Sequence, residues 1–153
     1  MDAERIELIE NVFCDVFENL AFMFGEPISK DVFEANGNEH THAHISFEGA
    51  RTGDVVLIVP DDMCPEIAAN VLGVDPDDEQ VDELAGDALK EMINIICGRL
   101  LTDLESKDLV FDLSVPEIKN INSEEWSVWL KKEGSLGFIV DEYSVILYLH
   151  MED

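Results

Sequence analysis

Between Val81 and Leu104 the apolar residues Leu84, Leu89, Ile93, Ile96, Leu100 and Leu104 keep helical spacing for more than five turns. A helix of that length runs about 36 Å, so it crosses a domain of this size and the other elements must pack around it. A second amphipathic helix is expected from Glu4 to Phe24. There Ile6, Ile9, Phe13, Phe17, Leu20 and Phe24 form the apolar side, Glu7, Asn11, Asp15 and Glu18 form a polar stripe, and Gly25 with Pro27 ends the helix. With 153 residues and 46% hydrophobic content, the chain suits one domain or two intimately packed halves. A chain of that size can bury roughly 70% of its unfolded surface, so a packed core is expected and disorder is not. Residues 1–153 are read as a single domain.

Residues 35–41 read as a polar loop. His42 to Glu48 and Asp54 to Val59 read as strands joined by Gly49-Ala50-Arg51-Thr52-Gly53, and the unbroken apolar run Val55 to Val59 predicts burial on both faces. Asp61 or Asp62 can cap a short helix to about Leu72, with Pro65 in its first turn and Gly73 beyond its end. Val74 to Asp82 is an acidic connector. After the long helix, Leu109 to Val115, Trp126 to Lys131, Gly137 to Val140 and Ser144 to His150 read as strands, separated by Asn120 to Ser123, by Glu133-Gly134-Ser135 and by a tight Asp141-Glu142 turn. This order predicts an α+β fold, with long helices packed on one side of a mostly antiparallel sheet.

Nine Lys plus Arg against 35 Asp plus Glu give a net charge of −26. Such a surface repels phosphate backbones and anionic lipid, which excludes nucleic-acid and membrane-surface roles. No apolar run approaches the roughly 20 residues of a membrane span, and Met1-Asp2-Ala3-Glu4 lacks the basic start of a secretory leader. A cytoplasmic protein is expected. Cys14, Cys64 and Cys97 each sit in an apolar stretch without C-x-x-C spacing, so they read as buried free thiols.

The long helix has a second face, Asp87, Glu91, Asn94, Gly98 and Thr102, spaced by 4, 3, 4 and 4 along one narrow strip. A stripe of this kind is ordinarily just a solvated surface. Gly98 is harder to dismiss, because a mid-helix glycine costs on the order of 1 kcal/mol relative to alanine. It is accounted for if something approaches the backbone there, and equally by close packing on a neighbouring strand. Pro116, 22 residues after Asn94, ends the strand Leu109 to Val115.

Asp87-x-x-x-Glu91-x-x-Asn94 followed by Pro116 resembles the signature of the CheC/CheX/FliY family of chemotaxis phosphatases, and the stretch from Gly53 to Ile118 resembles its CheX branch. One departure is Arg99, where this branch often carries a small polar residue. The resemblance implies a two-component signalling role: hydrolysis of the aspartyl phosphate on a CheY-like response regulator, with Glu91 and Asn94 as catalytic residues. Asp87, Lys90, Gly98 and Pro116 would then contact the partner. It also implies no cofactor of the chain's own, since Mg²⁺ is carried by the receiver domain. Glu91 and Asn94 alone make neither a nucleophile, a phosphate cradle nor a metal cage. A carboxamide can nevertheless orient a water in line with phosphorus, as a glutamine does in GTPases, and a carboxylate can bond the receiver's lysine. The alternative is a non-catalytic module of the same fold that binds a receiver or a flagellar-switch protein. The acidity could also be a solubility adaptation to salt, unrelated to partners, and because receivers are often acidic, Lys90 and Arg99 are expected to relieve repulsion locally.

Asn11, Asp15, Glu18 and Phe22 repeat the 4, 3, 4 spacing at an offset of 76 residues. Duplicated, pseudo-symmetric halves would explain this, with one active site because Glu18 and Phe22 replace the amide and the glycine; two amphipathic helices sharing a polar period would explain it equally. The family branch and the apolar strand Ser144 to Leu149 suggest a homodimer through an edge strand, whereas a central position for that strand suits a monomer. His40, His42 and His44 alternate on one strand face, but strand neighbours splay over some 13 Å and rarely converge on a metal, so no metal is assigned. Trp126 and Trp129 are expected on opposite strand faces, Met23, Met63 and Met92 in the core, and no Ser-His pair is suggested for Ser114 or Ser127.

Overall fold

The computed structural model describes residues 2–35, 37–106 and 108–152. The first helix, α1 (Ala3–Ala21), starts where the Asp2 carboxylate accepts the Arg5 N–H at 2.9 Å. It buries Ile9, Val12, Phe13, Val16, Phe17 and Ala21. The helix ends earlier than the periodicity suggests. Phe22 takes a left-handed conformation at φ 54, Phe24 is exposed rather than core, and Gly25–Ile28 forms a strand, β1. Pro27 is compatible with that assignment because β1 is an edge strand.

β2 (Glu39–Gly49) and β3 (Thr52–Pro60) form the expected hairpin. The polar loop before it includes Asn36, which lies outside the described residues. A single turn at Asp61–Met63 leads into α2 (Cys64–Leu72), with Pro65 in its first turn and Gly73 left-handed at its end, as expected. The acidic connector follows, then α3 (Val81–Leu104).

Two elements beyond α3 differ from the sequence reading. The strand expected over Leu109 to Val115 is shorter, β4 (Phe111–Leu113), and is followed by β5 (Glu117–Asn122) where a separator was expected. Both pair with β2, in registers that differ by one: Phe47 faces Leu113, while His44 faces Glu117. They are thus one strand interrupted by a one-residue bulge at Ser114–Pro116. Pro116 cannot donate to a ladder, and a bulge at a sheet edge accommodates it. Trp126 to Lys131 is not a strand but part of a helix, α4 (Ser123–Lys131). The Asn122 side chain accepts the Glu125 N–H while Glu125 accepts the Asn122 N–H, a capping box that overrides the aromatic strand preference. Trp126 and Trp129 therefore share one side of α4 instead of facing opposite ways. β6 (Ser135–Val140) and β7 (Tyr143–Glu152) close the chain as a hairpin around Asp141 and Glu142.

The seven strands form one sheet in the order β1-β6-β7-β3-β2-β4, with β5 also on β2, and every recorded pairing is antiparallel. The fold is α+β, with α1, α2 and α3 on one face and α4 on the other. Exchanging β1, β2 and β3 with β4, β6 and β7 reverses this order into itself, and α1 precedes β1 as α3 precedes β4. That two-fold pattern matches the expectation of paired halves. β7 lies between β3 and β6, so its apolar character reflects burial, and it cannot serve as a pairing edge. No helix among the described residues is long and apolar enough to cross a membrane.

The sheet alternates as a two-sided core requires. Val55, Leu57 and Val59 face the long helices, and Val56 and Ile58 face α4, so the Val55–Val59 run is buried on both sides as expected. Phe13 stacks on Phe138 with ring centroids 3.8 Å apart, which fixes α1 over β6. All three cysteines are free, and burial raises the Cys97 thiol to about 12. Met23, Met63 and Met92 are fully buried.

His40 and His42 lie on the α4 face, with their ring nitrogens unbonded among the described residues. His42 packs against Trp129 with centroids 5.0 Å apart. Burial, with Lys119, His44 and Lys132 adding to it, lowers its imidazole to about 4. The unfolded chain, with an ordinary histidine pKa of about 6.5, therefore takes up the proton first. The site's contribution to stability is intact above pH 6.5 and declines as pH falls from 6.5 to 4. Urea unfolding of the wild type and His42→Gln across that window should show the wild type losing about 3 kcal/mol more than the variant.

Candidate functional site

α3 meets the sheet and its neighbours through Ala85, Ala88, Leu89, Met92, Ile93, Ile96, Cys97 and Leu100, all buried. With that side fixed, Asp87, Glu91 and Asn94 stand exposed on the opposite face. Neighbouring side chains three and four apart on a helix have Cβ atoms about 5–6 Å apart, so a carboxylate and a carboxamide sit side by side. Neither Glu91 nor Asn94 has a hydrogen bond or ion pair among the described residues. Their polar atoms are free to engage a partner or a water. Lys90 is half-buried beside them.

Gly98 lies one turn further along the same ridge. A Cβ built there meets no heavy atom within 4 Å. Close packing on a strand therefore does not account for this glycine, and the backbone is open on its outer side. Its carbonyl accepts the Thr102 hydroxyl at 3.0 Å.

Arg99 does not point freely toward the stripe, as the charge argument expected. It pairs with Asp15 on α1. Asp15 also accepts the Asn19 amide, through its carbonyl at 2.8 Å and its carboxylate at 2.9 Å. The polar stripe of α1 is thus partly used to join the two helices. Asn11 and Asp15 line a groove with Arg99 and Asp103, and Glu18 remains exposed.

Pro116 is half-buried at the bulge between β4 and β5. Ser46 N–H donates to Ser114 Oγ at 2.9 Å and Ser114 N–H donates to the Ser46 carbonyl at 2.8 Å, which anchors the bulge. The link from that edge to α3 runs through Ile118, which shares a cleft with Asp82, Glu83 and Gly86 at the start of the helix. The structure thus brings Asp87, Lys90, Glu91, Asn94 and Gly98 together and sets Pro116 on the flanking sheet edge. Among the described residues no cluster of His, Cys, Asp and Glu could hold a metal ion. Sequence reasoning missed the bulge, signalled by Ser-Val-Pro between two strand-like pieces, and the Asp15–Arg99 bridge.

The model of the chemotaxis phosphatase CheX family matches residues 42–136, more than half of the chain, and the protein belongs to that family. Among solved structures, CheX from Vibrio vulnificus shares the fold with a TM-score of 0.72 and 19% identity over 98% of this chain and 97% of that one. A CheX–CheY–BeF3–Mg²⁺ complex from Borrelia burgdorferi gives 0.66 and 20% over 97% and 98%. FliY from Thermotoga maritima gives 0.56 and 13% over 96% and 90%. No curated protein matches the chain in sequence.

The open space at Gly98 yields a stability test. Gly98→Ala should stabilise the fold by about 0.5–1 kcal/mol, because the methyl has room and the helix gains propensity. Denaturant titration measures this, and a loss of stability would mean that the backbone is packed after all.

Proposed function

We propose that this protein hydrolyses the aspartyl phosphate of a CheY-like response regulator, with Asn94 orienting the attacking water and Glu91 bonding the receiver's lysine. The observation that carries this reading is the bare, unbonded Glu91–Asn94 pair on a helix whose other side is wholly buried. Such a pair has no chemistry of its own beyond holding a water and a cation. It suits a reaction in which the phosphoryl group and Mg²⁺ belong to the substrate protein. Membership of the phosphatase family and a related CheX–CheY complex support the same partner.

In this mechanism the Asn94 amide holds a water in line with the bond from phosphorus to the aspartyl oxygen. The water adds to phosphorus as the acyl oxygen leaves, giving inorganic phosphate and the free receiver carboxylate. Docking of Glu91 on the lysine fixes the distance between the two proteins. Asp87 and Lys90 flank the contact, the bare backbone at Gly98 lets the receiver approach, and Pro116 shapes the edge beside it. Positioning of this kind supplies on the order of 10²-fold, about 3 kcal/mol.

Phosphoryl-aspartate decay on the receiver should slow by about 10²-fold in Asn94→Ala relative to wild type, while binding to the phosphorylated receiver survives. Glu91→Ala should weaken both. Gly98→Ala should bind less well despite its added stability. A wild-type decay rate retained in Asn94→Ala would remove Asn94 from the mechanism, and no acceleration by the wild type, with binding intact, would leave a receiver-binding module without hydrolysis.

A further inference from the structure

On the face of the sheet away from the long helices, a cavity of about 310 Å³ opens between α4 and the strands β2, β3 and β5. The registers say which side chains share it. His42 faces Lys119, His44 faces both Val56 and Glu117, and Ser46 faces Asp54, so all of these stand on one side of the pleat. Trp129 closes the cavity from α4, its ring centroid 5.0 Å from that of His42 and 5.2 Å from that of Tyr148.

Its polar groups lack internal partners. His42 is 5% exposed, yet neither ring nitrogen is bonded among the described residues, although buried polar groups are ordinarily hydrogen-bonded. Asp54 and Glu117 have no hydrogen bond or ion pair among the described residues either. The lining separates into two ends. Trp129, His42 and Val56 make an aromatic and apolar end. Two residues further along β2, about 7 Å away, Glu117 and then Asp54 make an anionic end. Burial holds the His42 imidazole well below its ordinary pKa, so it adds no positive charge at neutral pH. Lys119 is the one lysine or arginine of the lining, and it is exposed to water. Outside the cavity, the Lys132 ammonium stands 4.0 Å from the centroid of the Trp129 ring, so this indole already attracts a cation.

We propose that this cavity is a binding site for a small aromatic amine, its ring against Trp129 over His42 and its ammonium toward Glu117 and Asp54. A ring N–H donated to the buried imidazole gives that group the partner it lacks, and a two-carbon arm spans the distance between the two ends. The protein's charge of −26 draws a cation toward the site, where it would repel an anion. The cavity lies across the sheet from Glu91 and Asn94, so the inference does not depend on the receiver reading.

Titration calorimetry of the full chain tests this with three probes. Tryptamine carries ring and ammonium, indolepropionate the same ring with the opposite charge, and butylamine the charge without the ring. Tryptamine should bind saturably with a Kd at or below about 1 mM, and the other two about 10-fold more weakly or worse. Glu117→Gln, at an exposed edge position, and Asp54→Asn should each weaken tryptamine about 5-fold while Tm holds. Trp129→Leu should weaken it about 10-fold. Equal binding of butylamine would reduce the effect to attraction by an acidic surface and overturn the inference. Equal binding of indolepropionate would overturn it too, as would wild-type affinity in both carboxamide variants or the absence of saturable tryptamine binding at about 10 mM.

Discussion

The site exists because the underside of α3 is sealed. Leu89, Met92, Ile93, Ile96 and Leu100 are buried to within 1%, and each contributes about 1.5–3 kcal/mol relative to exposure. Rolling the helix by one residue, about 100°, would expose part of this set and press Glu91 or Asn94 toward the sheet. An unpaired buried carboxylate costs more than any one of those side chains returns. The same packing that fixes α3 therefore fixes which way its carboxylate and carboxamide face, and no loop is needed to present them.

The strand order maps onto itself when the halves are exchanged, yet the polar stripes of the two long helices differ. On α3 the stripe is left open. On α1 the positions at the same spacing differ: Asp15 holds Arg99 and Asn19, Glu18 corresponds to Asn94, and Phe22 corresponds to Gly98. Arg99 has its partner, Asp15, on that other helix. Both members of that pair are about half exposed, so it adds little to stability.

The helices and the central hairpin were legible in the sequence because their apolar periods run long enough to outweigh local noise, from Ile6 to Leu20 and from Leu84 to Leu104. The ridge was legible for the same reason: once the buried side of a helix is known, its opposite follows. What escaped were short elements whose identity rests on a few bonds. α4 depends on the reciprocal bonds of Asn122 and Glu125, which outweigh the strand preference of Trp126, Val128 and Trp129. The split between β4 and β5 depends on Pro116 having no N–H. β1 is only four residues long and owes its conformation to pairing with β6, far away in sequence. The early end of α1 depends on Phe22 adopting a conformation that sequence preferences assign to glycine.

On the proposed reading, a site that shows no metal cluster among the described residues and supplies neither nucleophile nor phosphate cradle puts its selectivity in a particular place. Glu91 and Asn94 are ordinary surface groups, and a similar pair occurs on many helices without consequence. What distinguishes them is the surrounding relief: a backbone open at Gly98 and a bulged edge at Ser114–Pro116. On the proposed reading, a phosphoprotein that cannot match this relief leaves Asn94 with a water but no phosphorus to aim it at. On that reading discrimination rests on shape, while the chemistry remains with the protein that carries the phosphoryl group.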